Sequence, residues 1–74
     1  MIRYSNNTGS SGIHSYEVLE DGLKVLFTSG SVYIYDRYKL GENRYQIAIK
    51  KAMYGSGLNS FLLRECRGTY SKIR

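Results

Sequence analysis

Apolar residues recur at two periods along this chain, and the change of period separates a strand-forming first half from a helix-forming second half. Ile13 to Val18 alternates weakly, with His14, Tyr16 and Val18 on one side, which predicts a strand. Leu19-Glu20-Asp21-Gly22 predicts a turn, because Asp-Gly between apolar runs favours a tight hairpin. Leu23 to Thr28 places Leu23, Val25 and Phe27 on one face and Lys24, Leu26 and Thr28 on the other. Ser29-Gly30-Ser31 turns the chain again. Val32 to Arg37, rich in β-branched and aromatic residues, predicts a third strand.

From Glu42 to Tyr54 the period becomes helical, with Tyr45, Ala48, Ile49, Ala52 and Met53 in one stripe. Glu42 at its start and Lys50 and Lys51 near its end complement the helix dipole, and Gly55 is placed to terminate it in a left-handed conformation. A shorter helix is predicted from about Leu58 to Cys66, with Leu58, Phe61 and Leu62 inward and Ser56 or Asn59 as its cap. Gly68 ends it, and a basic tail, Tyr70 to Arg74, follows. Met1 to Gly12 is polar and reads as a flexible arm or an edge segment. The expected fold class is therefore α+β. A three-stranded antiparallel meander is followed by one main helix and a short second helix packed on one face. Residues 13–74 form a single domain, and residues 1–12 form an N-terminal arm.

The second hairpin decides which face carries the tyrosines. A two-residue loop at Ser29-Gly30 pairs Phe27 with Val32 and puts Val32 and Ile34 on the core face. A three-residue loop pairs Phe27 with Tyr33 and puts Tyr33 and Tyr35 there instead. One residue of slip exchanges the two sets, because side chains alternate across a strand.

Seventy-four residues make one domain with a thin core. Cys66 is the only cysteine and His14 the only histidine, so neither an internal disulfide nor a zinc cluster of Cys and His can support it. Self-association as a homo-oligomer is the expected remedy. The first twelve residues lack the apolar run of a signal peptide, and no stretch reaches the length of a membrane span, which predicts a soluble, cytoplasmic chain with no membrane partner. In that compartment Asn6-Asn7-Thr8, a glycosylation sequon in form, is only a polar lead-in. The net charge of +5 is uneven: Met1 to Asp36 carries −2, and Arg37 onward carries +7. A concentrated positive field attracts phosphate, nucleotide or nucleic acid, although a charge of this size also serves solubility.

Catalysis is not expected, and no cofactor or metal is implied. His14 has no partner nucleophile in a recognisable motif, Glu20-Asp21 is a hairpin turn, and Cys66 on an apolar helix face behaves as a small hydrophobe. Gly55-Ser56-Gly57 leads into a helix N-terminus, where free backbone N–H groups favour an anion, with Ser56, Gly57, Asn59 and Ser60 beside it. The same spacing also suits a plain tight connection between helices. The eight tyrosines interleave with basic residues at Arg37-Tyr38-Lys39, Arg44-Tyr45 and Arg67 with Tyr70, as on surfaces that stack bases and hold phosphates. Tyr16, Tyr33, Tyr35 and Tyr45 suit structural places; Tyr38, Tyr54 and Tyr70 suit exposed contact.

Ser10-Ser11-Gly12-Ile13, Leu23-Lys24-Val25-Leu26-Phe27, Tyr33-Ile34-Tyr35, Ala52 with Ser56-Gly57-Leu58-Asn59-Ser60-Phe61, and Arg67-Gly68-Thr69-Tyr70 stand in an order and spacing that resemble the KTSC family. That family is named for the lysyl-tRNA synthetase C-terminus, where some members sit while others are free-standing. The resemblance covers about residues 10–70. It implies that Tyr33 and Tyr35 share the face of Leu23, Val25 and Phe27. The chain departs from the family in having Lys39-Leu40-Gly41-Glu42, without proline, where many members carry Val-Pro before the main helix.

The expected function is non-catalytic binding of an anionic ligand, a nucleotide or short RNA. Arg37, Lys39, Arg64 and Arg67 supply charge, Tyr38 and Tyr54 stack, and Ser56, Gly57, Asn59 and Ser60 bind near the helix start. Attachment to a tRNA synthetase in the family suggests RNA. Small size and positive charge suggest sequestration of a signalling nucleotide, as in some phage counter-defence proteins. The alternative is a protein-interaction module that uses an edge strand and exposed tyrosines.

Overall fold

Both turn signals make hairpins, and the backbone they leave unpaired recruits a further strand on each side. The computed structural model describes residues 1–5 and 12–73. The elements are β1 (Ile2–Arg3), β2 (Ile13–Leu19), β3 (Gly22–Phe27), β4 (Val32–Asp36), α1 (Arg37–Leu40), α2 (Glu42–Tyr54), α3 (Leu58–Glu65) and β5 (Tyr70–Lys72). The fold is α+β, with a five-stranded antiparallel sheet in the order β1-β2-β3-β4-β5. The expected meander is its centre. Two short edge strands extend it, one from the segment read as an arm or edge and one from the segment read as a basic tail. Asn6-Asn7-Thr8 and Ser10-Ser11 lie outside the described residues.

Leu19 pairs with Gly22, so Glu20 and Asp21 form the first turn and Gly22 already belongs to β3. Its place there is steric. A Cβ on Gly22 would collide with the Tyr35 carbonyl oxygen of the neighbouring strand. In the second hairpin Val25 pairs with Tyr33 and Leu23 with Tyr35, so Tyr33 and Tyr35 share the face of Val25 and Leu23. The parity is that of the three-residue loop, but the register is two residues tighter than expected. The Phe27 N–H donates to the Ser31 carbonyl at 2.9 Å, so Phe27 stands opposite Ser31 and not Tyr33.

A bulge corrects the reading of β2. Ile13 pairs with Phe27 and Ser15 with Leu26, which leaves His14 as the extra residue. Ile13 therefore takes the core position, and His14, expected beside Tyr16, is exposed. Tyr16, Leu23, Val25 and Tyr35 form the buried sheet side of the core, and Tyr45, Ala48, Ala52, Leu58 and Leu62 form its helix side. Met53, expected in the α2 stripe, is 68% exposed, and Ile49 is half-buried. The N-terminal segment completes the packing. Tyr4 is buried, and its hydroxyl accepts the Leu58 N–H at the start of α3 at 3.3 Å. No helix among the described residues is long and apolar enough to cross a membrane.

α1 was not expected. Asp36 caps it, accepting from the N–H groups of Tyr38 and Lys39 at 2.8 and 3.2 Å. Gly55, at φ 82°, terminates α2 in the left-handed conformation as expected.

Gly22→Ala should lower the urea midpoint of the domain by a stability loss of about 1–3 kcal/mol, since the Tyr35 backbone must move to admit the methyl group. An unchanged midpoint would show that β3 and β4 are not in this register.

Candidate functional site

A groove opens where α3 stops short of covering the β4–β5 end of the sheet. One wall is the second hairpin. Gly30, at φ 94°, lets its own N–H return to the Phe27 carbonyl at 2.9 Å, which holds Thr28, Ser29 and Ser31 along the rim. The other wall is α3, where Asn59, Leu62 and Leu63 share a face at helical spacing. Arg67 and Gly68 close the end beyond it, and the space enclosed is about 630 Å³.

The floor is aromatic because of the sheet register. β5 pairs Tyr70 with Tyr35, which brings Tyr70 diagonally against Tyr33. The rings of Tyr33 and Tyr70 stack with centroids 4.5 Å apart and planes 3° apart. Phe27 meets Tyr33 edge-on at 5.1 Å. Tyr35, buried at the inner end, has its phenol pushed upward, first by burial and then by Cys66, Tyr70 and Tyr33, so it stays neutral. Tyr70 remains 41% exposed.

No carboxylate lines the groove among the described residues. The cation at its end has no hydrogen-bond or ion-pair partner among them either, unlike two other arginines of the chain. Arg37 binds both carboxylate oxygens of Glu42 at 2.9 and 3.0 Å, donates to the Glu20 carbonyl at 2.9 Å and lies over the Tyr45 ring at 4.5 Å. Arg44 donates to the carbonyls of Leu40 at 2.7 Å and Glu65 at 2.6 Å, neutralising the ends of α1 and α3. Arg37, expected to bind ligand, is thus a structural staple joining the first hairpin to the helices.

The other expected site residues are dispersed. Tyr38 and Lys39 sit exposed on α1 beside that staple, with Tyr38 85% exposed. Tyr54, Ser56 and Gly57 line a shallow recess with Lys50 and Lys51. Ser60 is exposed on α3 and falls outside the groove lining. Arg64 is exposed and also outside it. Neither Ser56 nor Asn59 caps α3. Gly57 occupies the cap position without a side-chain bond, and the first N–H of the helix goes to Tyr4. Only Asn59 and Arg67 of the expected set reach the groove, where Tyr70 joins them. The groove's tyrosine floor was missed as a site because it depends on the β4–β5 pairing.

Cys66 is fully buried, and burial pushes its thiol up to about 11 despite the opposing charge of Arg44. It is therefore a neutral packing group at ordinary pH. No group of three or more His, Cys, Asp or Glu side chains among the described residues is placed to hold a metal ion. No family model, no curated protein and no solved structure matches the chain. The class defined by fold and site is thus a small α+β domain with an aromatic groove and, at its end, an arginine that bonds no described residue.

Arg37→Gln should lower the melting temperature at pH 7. Hydrogen bonds from Gln46 and then Arg37 hold the Glu42 carboxyl below its ordinary 4.5. That stability is present above 4.5 and is lost as pH falls through the folded value, so the gap between wild type and variant should narrow in acid. Thermal melts from pH 7 to pH 3 check this; a gap constant across the range would contradict the staple.

Proposed function

We propose that this domain is a non-catalytic binding module that takes a phosphate-bearing ligand, a nucleotide or short RNA, into the aromatic groove. The observation that carries the reading is Arg67. Its guanidinium is unpaired among the described residues, at the end of a concave, acid-free groove floored by Tyr33 and Tyr70. A ligand pocket of this kind combines an apolar body with a few convergent polar groups. The excess positive charge of the second half adds long-range attraction for an anion. The resemblance to the KTSC family, with its link to a tRNA synthetase, favours RNA as one source of the ligand.

Titration of wild type and Arg67→Gln with 5′-mononucleotides and short RNAs at low salt tests the reading. Loss of one charge-assisted contact should weaken binding about tenfold or more. For a polymeric ligand the salt slope should fall by about one. The melting temperature should stay unchanged, because Arg67 is exposed and bonds no described residue. Equal affinity in the variant, or no binding to the wild type, would overturn the reading and favour a protein-interaction role.

A further inference from the structure

We propose that the groove selects an unpaired nucleobase, one per domain, which stacks against the exposed ring of Tyr70 while Arg67 holds the adjoining phosphate. This rests on nucleotide binding in the groove and adds what the rest of the groove reads.

The aromatic cluster is closed at its inner end and open at its outer one. Phe27 lies edge-on to Tyr33, with planes 63° apart, and Tyr35 is buried beneath. Tyr70 is held parallel to Tyr33 by the β4–β5 register, and of these four rings it is the one the fold leaves exposed. A ring fixed in orientation by its neighbour presents a stacking surface that costs little ordering when a second planar group arrives. Every base has a π-face, so stacking alone accepts all four. The rim adds edge contacts. Ser29, Ser31 and Asn59 have no side-chain hydrogen-bond partner among the described residues and together offer donors and acceptors. Ser29 and Ser31 belong to the hairpin and Asn59 to the first turn of α3, whereas Arg67 follows the far end of that helix, an arrangement that separates base from phosphate. The interior of a duplex cannot satisfy it, because its paired bases have both faces stacked and their pairing edges occupied.

The test measures affinities of adenosine, its 5′-monophosphate, inorganic pyrophosphate, a short single strand and the matching duplex. The proteins are wild type, Tyr70→Phe, Tyr70→Ala and Arg67→Gln. Tyr70→Phe should retain affinity for the nucleotide and the single strand, and Tyr70→Ala should lose tenfold or more. Arg67→Gln should erase the advantage of the monophosphate over the nucleoside while leaving nucleoside binding intact. The duplex should bind at least tenfold more weakly than the single strand. If Tyr70→Ala fails to fold, proton NMR on the wild type supplies the same answer, since stacking shifts the bound base protons upfield. Equal binding of pyrophosphate and nucleotide, with Tyr70→Ala unimpaired or no upfield shift, would overturn the base inference and leave phosphate binding standing. Duplex binding as tight as single-strand binding would overturn the requirement for an unpaired base. No binding of any phosphate ligand to the wild type would remove the underlying reading and this inference with it.

Discussion

The pairing of Val25 with Tyr33 is the constraint on which the rest of the molecule depends. It sets the parity of the β3–β4 ladder and so places Tyr33 and Tyr35 beneath the helices, not on the opposite face of the sheet. A slip of one residue would exchange them for Val32 and Ile34, bury an aliphatic pair under α2 and α3, and leave no aromatic floor. The parity is held locally by the turn at Gly30 and at a distance by Gly22, whose missing side chain admits the Tyr35 carbonyl. Once Tyr35 is fixed, β5 can place Tyr70 opposite it, and the diagonal stack on Tyr33 follows.

The arginines divide according to what the backbone leaves unsatisfied. Arg37 and Arg44 sit where carbonyls of a turn and of helix ends converge, and each is drawn into several bonds. Arg67 lies past the end of α3. The Cys66 carbonyl just before it accepts from the Thr69 hydroxyl at 2.6 Å, and the Arg67 guanidinium bonds no described residue.

Much of the architecture was legible from periodicity. α2 has the predicted bounds, the two hairpins stand where the Gly signals put them, and Leu58 and Leu62 face inward. What escaped shares a physical cause, since it is made by long-range pairing and not by local preference. Ile2–Arg3 and Tyr70–Lys72 are too short and too polar to announce strands, and they become strands because β2 and β4 offer unpaired edges. The bulge at His14 moved Ile13 into the core, which strict alternation could not foresee. The candidate site was legible in part. Asn59, Arg67 and Tyr70 were singled out, but the bonds that engage Arg37 were not legible, because its partners Glu20 and Glu42 lie in different elements. The cap at Asp36, by contrast, was a local signal that the strand reading of Val32 to Arg37 obscured.

We propose that the tyrosine-floored groove, and no other surface, is where this domain meets an anionic ligand. Mapping amide and aromatic NMR shifts of the wild-type protein during titration with a 5′-mononucleotide addresses it directly. The largest changes should fall on Ser29, Tyr33, Asn59, Arg67 and Tyr70. Changes centred on Lys50, Tyr54 and Gly57, or on Lys24, Leu26 and Ile34 of the opposite sheet face, would contradict it.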